Sequence, residues 1–445
     1  MHSSKNNVYL ISLGCAKNLV DSENMLGLLK ERGFPIVSRM EEAGIAVINT
    51  CGFIQPAVEE CVDTIFECID QKRRGNLERV FVTGCFVQRY GYRLQREIPE
   101  IDGWAGTGEI GKIADLLERG NPGTKPFFIG RPTFLADHMP SRVQTTPFYT
   151  AFLKIGEGCS HTCSFCYIPA LRGGMRSRDM ESIVAEAQDM IDRGVKEINL
   201  VSQDTSEYGK DLHRDLCLED LLERLLILRG LQWIRILYSN PSGVSDRLLK
   251  LMANEDVLCP YLDIPIQHVN GGILHSMGRS SMSADPMDLI ERIKSVKRAI
   301  SIRTTLMVGF PGETEDIFEE LLDFIEKAEI DHLGAFAFSP EKGTRAARLK
   351  DIPPKGIVDL RRDRLMRFQA AIAKKKNHTF IGRTMPVLIE GVSDETDLLL
   401  KGRTARMAPE VDGQVLINRG RGRVGEIMPV LIKEAYSYDL IGEII

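Results

Sequence analysis

Three times within the first 85 residues an apolar run ends in a cysteine and gives way to an amphipathic helical pattern, and this repeat restricts what the region can fold into. In VYLISLGC, Val8, Leu10, Ile11 and Leu13 lead into Cys15, and a helix is expected from about Asn18 to Arg32. IAVINTC ends at Cys51 and is followed by a helix whose apolar face includes Val58, Ile65 and Ile69; RVFVTGC ends at Cys85, before a helix through about Arg96. Continuous apolar runs alternating with amphipathic helices predict a parallel sheet covered on both faces. Ligands of such sheets collect outside the carboxyl ends of the strands. Cys15, Cys51 and Cys85 are therefore expected to converge on one sheet edge, although more than thirty residues separate each from the next. One cysteine after a strand reads as a small buried residue, but three in equivalent places read as a metal site with no fourth thiol. Cys61 and Cys68 differ: with Val58 and Ile65 they share one helix face and read as core. Cys217 and Cys259 stand alone and read as core or neutral.

From about 149 to 350 the alternation is longer, with six strand candidates: AFLKIG (151–156), EINLVSQ (197–203), WIRILYS (233–239), YLDIPIQ (261–267), RTTLMVGF (303–310) and HLGAFAF (332–338). The helical stretches between them are long enough for right-handed crossovers. The pattern predicts a partial, open relative of the eight-stranded barrel, whose active site lies at the carboxyl ends of its strands. The loop GCSHTCSFC directly follows the first of these strands and spaces Cys159, Cys163 and Cys166 as Cys-x3-Cys-x2-Cys. Zinc is the rival ligand, with His161 as a fourth donor. Structural zinc sites, however, usually pair two Cys-x2-Cys knuckles and close all four positions, and His161 reads more simply as a polar surface residue. An iron-sulfur cluster accepts three thiolates and leaves one iron open to a substrate or cofactor.

At 445 residues the chain is long enough for two to four domains. Ten cysteines in a chain of this size point to metal binding or chemistry rather than disulfides. No run of eighteen uncharged apolar residues and no signal-peptide pattern is present, so a cytosolic protein without membrane association is expected. A net charge of -5 argues against a nucleic-acid binder that uses its whole surface, while leaving room for a local basic face. Residues 119–148, rich in Pro, Gly and Thr, read as a linker. The last 65 or so residues hold five short apolar runs separated by Gly, Asp and Asn, as expected for a five-stranded, OB-like barrel. A basic helix from about Lys355 to Asn377 connects this barrel to the preceding domain. Lys401, Arg403, Arg406, Arg419, Arg421 and Arg423 give the barrel an RNA-binding reading, against the plainer one of a solvated or partner-matched basic surface.

Cys159, Cys163 and Cys166, with Tyr167 beside the last, resemble the signature of the radical S-adenosylmethionine enzymes. That resemblance implies a 4Fe-4S cluster whose open iron is chelated by S-adenosylmethionine, giving a 5'-deoxyadenosyl radical on one-electron reduction. The runs SQDTSEYG and MVGFPGET follow the second and fifth strands, where loops would meet the cofactor. Gln203, Gly309, Pro311, Gly312 and Glu313 are accordingly cofactor-binding candidates, together with Tyr167. Gly-Phe-Pro-Gly is equally well a plain turn with Glu313 near the positive end of a helix.

As a whole the chain resembles the methylthiotransferases, a branch of those enzymes. This likeness implies an N-terminal domain (7–118) with an auxiliary cluster on Cys15, Cys51 and Cys85, a linker (119–148), a radical domain (149–377) and a C-terminal TRAM domain (378–445). It implies two 4Fe-4S clusters and two molecules of S-adenosylmethionine, one to methylate a cluster-bound sulfide and one to make the radical. SQDTSEYG, GCSHTCSFCYIPALRG, YLDIPIQH, GAFAFSPEKGT and EAYSYDLIGEI are similar to the branch that modifies an aspartate β carbon of ribosomal protein S12. The tRNA-adenosine branch usually has Asn where Asp204 stands. Tyr167 stands where an aliphatic residue is common. The implied partners are ribosomal protein S12, ribosomal RNA through the TRAM domain, and a reductant such as flavodoxin or ferredoxin, with the enzyme acting as a monomer. A tRNA methylthiotransferase is the alternative enzyme, and a non-catalytic ribosome or RNA-binding factor stapled by its clusters is the alternative of another class.

Overall fold

The computed structural model describes residues 5–120, 123–138, 142–213, 215–279 and 285–445. Its first sheet has five parallel strands in chain order: β1 (Val8–Ser12), β2 (Ile45–Thr50), β3 (Arg79–Gly84), β4 (Gly103–Ala105) and β5 (Phe127–Phe128). Helices on both faces bury it, so β2 is covered along its whole length, as its unbroken apolar run requires. Helices α1 (Ala16–Glu31) and α2 (Gln55–Arg73) follow β1 and β2. The helix expected through Arg96 is two short ones, α3 (Cys85–Tyr90) and α4 (Arg93–Glu97), broken at Gly91. Cys61 and Cys68 are fully buried in α2, as their helical spacing requires.

The expected linker, 119–148, requires correction. Phe127–Phe128 pair with Trp104–Ala105 as the edge of the first sheet, and the Arg142 guanidinium is buried against Glu23 and Glu186 at 3.3 and 3.4 Å. A two-residue strand carries no periodicity, which is why the sequence concealed it.

All six strands expected of the second unit are present: β6 (Thr150–Lys154), β7 (Glu197–Val201), β8 (Trp233–Ile236), β9 (Leu258–Asp263), β10 (Ser301–Val308) and β11 (His332–Ala337). They form an open parallel sheet, again in chain order. With its helices this is the partial (βα)6 barrel. Strands β12 (Thr384–Val392), β13 (Leu400–Thr404), β14 (Val415–Arg419), β15 (Ile427–Ala435) and β16 (Leu440–Ile444) close into a barrel around Val387, Ile389, Ile417, Val430 and Ile432. The helix Lys355–His378 leads into it. Among the described residues no helix is long and apolar enough to cross a membrane.

Buried ion pairs hold the C-terminal barrel on the second sheet. Glu197 of β7, fully buried, accepts hydrogen bonds from Arg235 at 3.0 Å and from Arg403 at 2.7 Å. Asp412 pairs with Arg303 and accepts from the Tyr261 hydroxyl at 2.7 Å. Arg403 is thus withdrawn from the basic face expected for RNA. Arg406 donates to the Ala299 carbonyl at 2.7 Å, and Lys401 pairs with Asp394 at 2.6 Å. Arg419, Arg421 and Arg423 remain exposed.

Candidate active site between two cysteine triads

Cys15 caps the N-terminus of α1, Cys51 directly follows β2, and Cys85 opens α3. The ends of three neighbouring parallel strands thereby bring them together. Gly14 shows how closely: at φ +92°, a methyl group on it would lie 2.8 Å from Cβ and 3.2 Å from Sγ of Cys51. The second triad sits on the loop after β6. Cys159 N–H donates to the Gly173 carbonyl at 3.0 Å, and Cys166 N–H to the Cys163 carbonyl at 3.2 Å. Gly158, at φ +78°, lets the loop pass so close to Gly174 that a Cβ would lie 2.2 Å from its carbonyl oxygen. Cys15, Cys51, Cys85, Cys159, Cys163 and Cys166 all line one cavity of about 300 Å³, the two triads facing it from different domains.

The sulfurs fit iron-sulfur clusters better than single zinc ions. A tetrahedral zinc, with Zn–S bonds of about 2.3 Å, draws its thiolates to within about 3.8 Å of each other. Among the described residues, neither triad has its three sulfurs all within 4.8 Å of one another. The compact group that does meet this distance is His161, Asp204 and Glu207. His161 there is a hydrogen-bonding partner: its Nε2 lies 2.6 Å from Asp204 Oδ2, while Asp204 Oδ1 already accepts from Ser206 and from Asn240 N–H. His161 is therefore half-buried on the cavity wall, not the surface residue expected from sequence. The Asp204 hydrogen bond outweighs burial and raises its pKa.

Burial pushes the thiols of Cys85 and Cys159 up to about 11 and that of Cys166 up to about 12. Such thiols ionise readily only when a metal takes the place of the proton. Burial would also raise Cys15, but Lys17 and Arg172 outweigh it and lower this thiol. Arg172 belongs to a buried network that joins the domains: Asp21 and Asn18 of α1 accept from it at 2.7 and 3.0 Å, and Glu157 at 2.8 Å. Lys154 pairs with both Asp21 and Glu157. Glu157 also accepts from Gln203 at 2.7 Å, fixing that side chain at the cavity.

Residues 7–106 match the profile of the Uncharacterized protein family UPF0004, residues 153–325 that of the Radical SAM superfamily, and residues 381–445 that of the TRAM domain. The ribosomal protein uS12 methylthiotransferase RimO of Geotalea uraniireducens (strain Rf4) is 45% identical over 100% of this chain and 99% of its own. This chain belongs to the RimO family. The RimO of Geobacter sulfurreducens is likewise 45% identical, over 100% of both chains. Among solved structures, the radical S-adenosylmethionine methyltransferase TsrM from Kitasatospora setae has a TM-score of 0.56 at 14% identity, covering 74% of this chain and 73% of that one, a likeness of fold. A RimO-family chain is a radical S-adenosylmethionine methylthiotransferase, and its cofactors are S-adenosylmethionine and 4Fe-4S clusters.

Of the RimO-family site residues expected from sequence, the cavity gathers the six cysteines and Gln203. Tyr167, Gly309, Pro311, Gly312 and Glu313 are not on its wall. The Tyr167 ring lies under the Arg89 guanidinium at 4.9 Å, a contact between domains. Both Glu313 oxygens accept from Gly309 N–H at 3.0 Å, and Arg361 donates to Glu313 at 2.8 Å, contacts that a plain turn also makes. Sequence reasoning missed Lys17, Arg172, Tyr238, Asn240, Gln267 and Arg279, all on the wall. The available signal was position: Tyr238 and Asn240 follow β8, and Gln267 follows β9, at the carboxyl ends where barrels place their sites.

Proposed function

We propose that this chain inserts a methylthio group at the β carbon of an aspartate in ribosomal protein uS12. The observation that carries the reading is the single cavity lined by both cysteine triads. Cys159, Cys163 and Cys166 would hold one 4Fe-4S cluster and Cys15, Cys51 and Cys85 the other; when bound, these supply the electron that cleaves S-adenosylmethionine and an open iron for the sulfur to be transferred.

The chain's own residues bind, orient and exclude water. Phe53, Phe165 and Ile168 give the cavity apolar wall, which keeps solvent from a reactive carbon radical. Gln203, fixed by Glu157, and His161, fixed by Asp204, offer oriented polar groups toward the cofactor. Arg172 gives positive charge beside the Cys85 thiolate. The domain boundaries that follow are an N-terminal unit, a radical unit with its basic helix, and the TRAM barrel. Arg419, Arg421 and Arg423 support contact between that barrel and ribosomal RNA. The enzyme works in the cytosol as a monomer, with a one-electron reductant of the flavodoxin or ferredoxin type.

Reconstituted enzyme given S-adenosylmethionine, sulfide and reductant should add the mass of one methylthio group, in place of hydrogen, to uS12 and leave bulk tRNA unchanged. A mass gain on tRNA alone would overturn the substrate assignment. No 5'-deoxyadenosine with either partner would favour a non-catalytic factor.

A further inference from the structure

The basic side chains on the cavity wall are not equivalent. Arg172 is bonded to Asp21, Glu157 and Asn18. Arg279 gives its Nη1 to the carbonyls of Pro265 and Ile266. His161 is bonded to Asp204 and lies 3.2 Å from Asn240 Nδ2. Lys17 alone among them makes no hydrogen bond or ion pair with any described residue; instead its Nζ lies 3.3 Å from the centre of the Tyr238 ring. The carboxylate that bears on it, Asp263, already accepts from Tyr238 N–H at 3.2 Å and faces Arg303. The aromatic face holds a cation in place without neutralising it. Tyr238 itself is held at φ +60°, a left-handed conformation that a tyrosine seldom adopts. Thr205 N–H donates to its carbonyl at 3.0 Å, which with the Asp263 bond fixes that conformation.

A half-buried cation on a cavity wall is costly unless anions meet it; the Cys15 thiolate bears on Lys17 from within its own segment, and Lys17 also lines the cavity, where a second anion can reach it. Lys17 lies two residues beyond Cys15, on the side of the cavity where the sulfur to be transferred would be held. We propose that Lys17, seated on the Tyr238 ring, receives the carboxylate of the acceptor aspartate and so selects an acidic acceptor over a neutral one. The assignment rests on the methylthio-transfer reading given above.

The test is a double-mutant cycle between full-length reconstituted enzyme and uS12. Anaerobic binding without reductant, and KM and kcat with it, are measured for the wild type, Lys17→Met and Lys17→Arg, each against uS12 with its native aspartate and with asparagine in its place. Lys17→Met should weaken binding of the aspartate form at least tenfold and raise its KM correspondingly, while changing the asparagine form less than twofold. Lys17→Arg should recover most of the loss. Iron content and the KM for S-adenosylmethionine should hold in Lys17→Met. An equal loss for both forms of uS12 overturns the proposal. So does a raised KM for S-adenosylmethionine, which would assign the lysine to the cofactor carboxylate, or a loss of about half the iron, which would make it a counter-ion of the cluster. A wild-type enzyme that leaves uS12 unmodified overturns the functional reading itself, and that failure appears before any variant is compared.

Discussion

Replacing Cys159, Cys163 and Cys166 together with alanine is expected to lower the iron of the reconstituted enzyme from about eight to about four per chain and to abolish 5'-deoxyadenosine formation. The same replacement of Cys15, Cys51 and Cys85 should also remove about half the iron. That second variant should still form 5'-deoxyadenosine and should transfer no methylthio group. The two outcomes differ because the triads lie on separate domains, one on the ends of β1 to β3 and the other on the loop after β6, and share only the cavity between them. Four irons in the wild type, stoichiometric zinc, or loss of all iron from either variant would contradict two independent clusters.

Arg172→Met is expected to lower the unfolding free energy by roughly 3–5 kcal/mol, because among the described residues it leaves Lys154 as the one cation in direct ion-pair contact with the buried Asp21 and Glu157. The cost is that of an uncompensated buried charge, so Asp21→Asn in the same chain should restore a good part of it. Chemical unfolding of the apo forms checks both. The network also sets an acid limit. Burial alone would raise Glu157, but Arg172 and Lys154 outweigh it and hold the carboxyl well below its ordinary range. A depressed folded value means that this stabilisation is fully present above the ordinary carboxylate range and is lost as pH falls through it, below about pH 5. In Arg172→Met that acid-side loss should be shallower. A change under about 1 kcal/mol would place the network among ion pairs of little net worth.

What the sequence made legible follows from period and position. Continuous apolar runs disclosed the strands of both parallel sheets apart from the short β4 and β5, and the place of Cys15, Cys51 and Cys85 at strand ends disclosed the first triad before any family likeness was used. Local spacing disclosed the second. The residues that were hidden act across domains: Lys17 meets Tyr238 over more than two hundred residues of chain, and Arg172 meets Asp21 of α1. No local pattern encodes such pairs. The partner of Glu313 was hidden for a related reason, since Arg361 lies on a distant helix and pairs with it in the interior. The partner of Arg403 was hidden likewise, the arginine's charge being spent on Glu197.

The most direct test of a single cavity that joins radical formation to sulfur transfer follows the hydrogen. The measurement uses uS12 carrying deuterium at the β carbon of its acceptor aspartate, with mass analysis of both products. The account predicts methylthiolated uS12 that has lost one deuterium and 5'-deoxyadenosine that has gained it. Methylthiolated uS12 with its deuterium intact, or 5'-deoxyadenosine without deuterium, would contradict it.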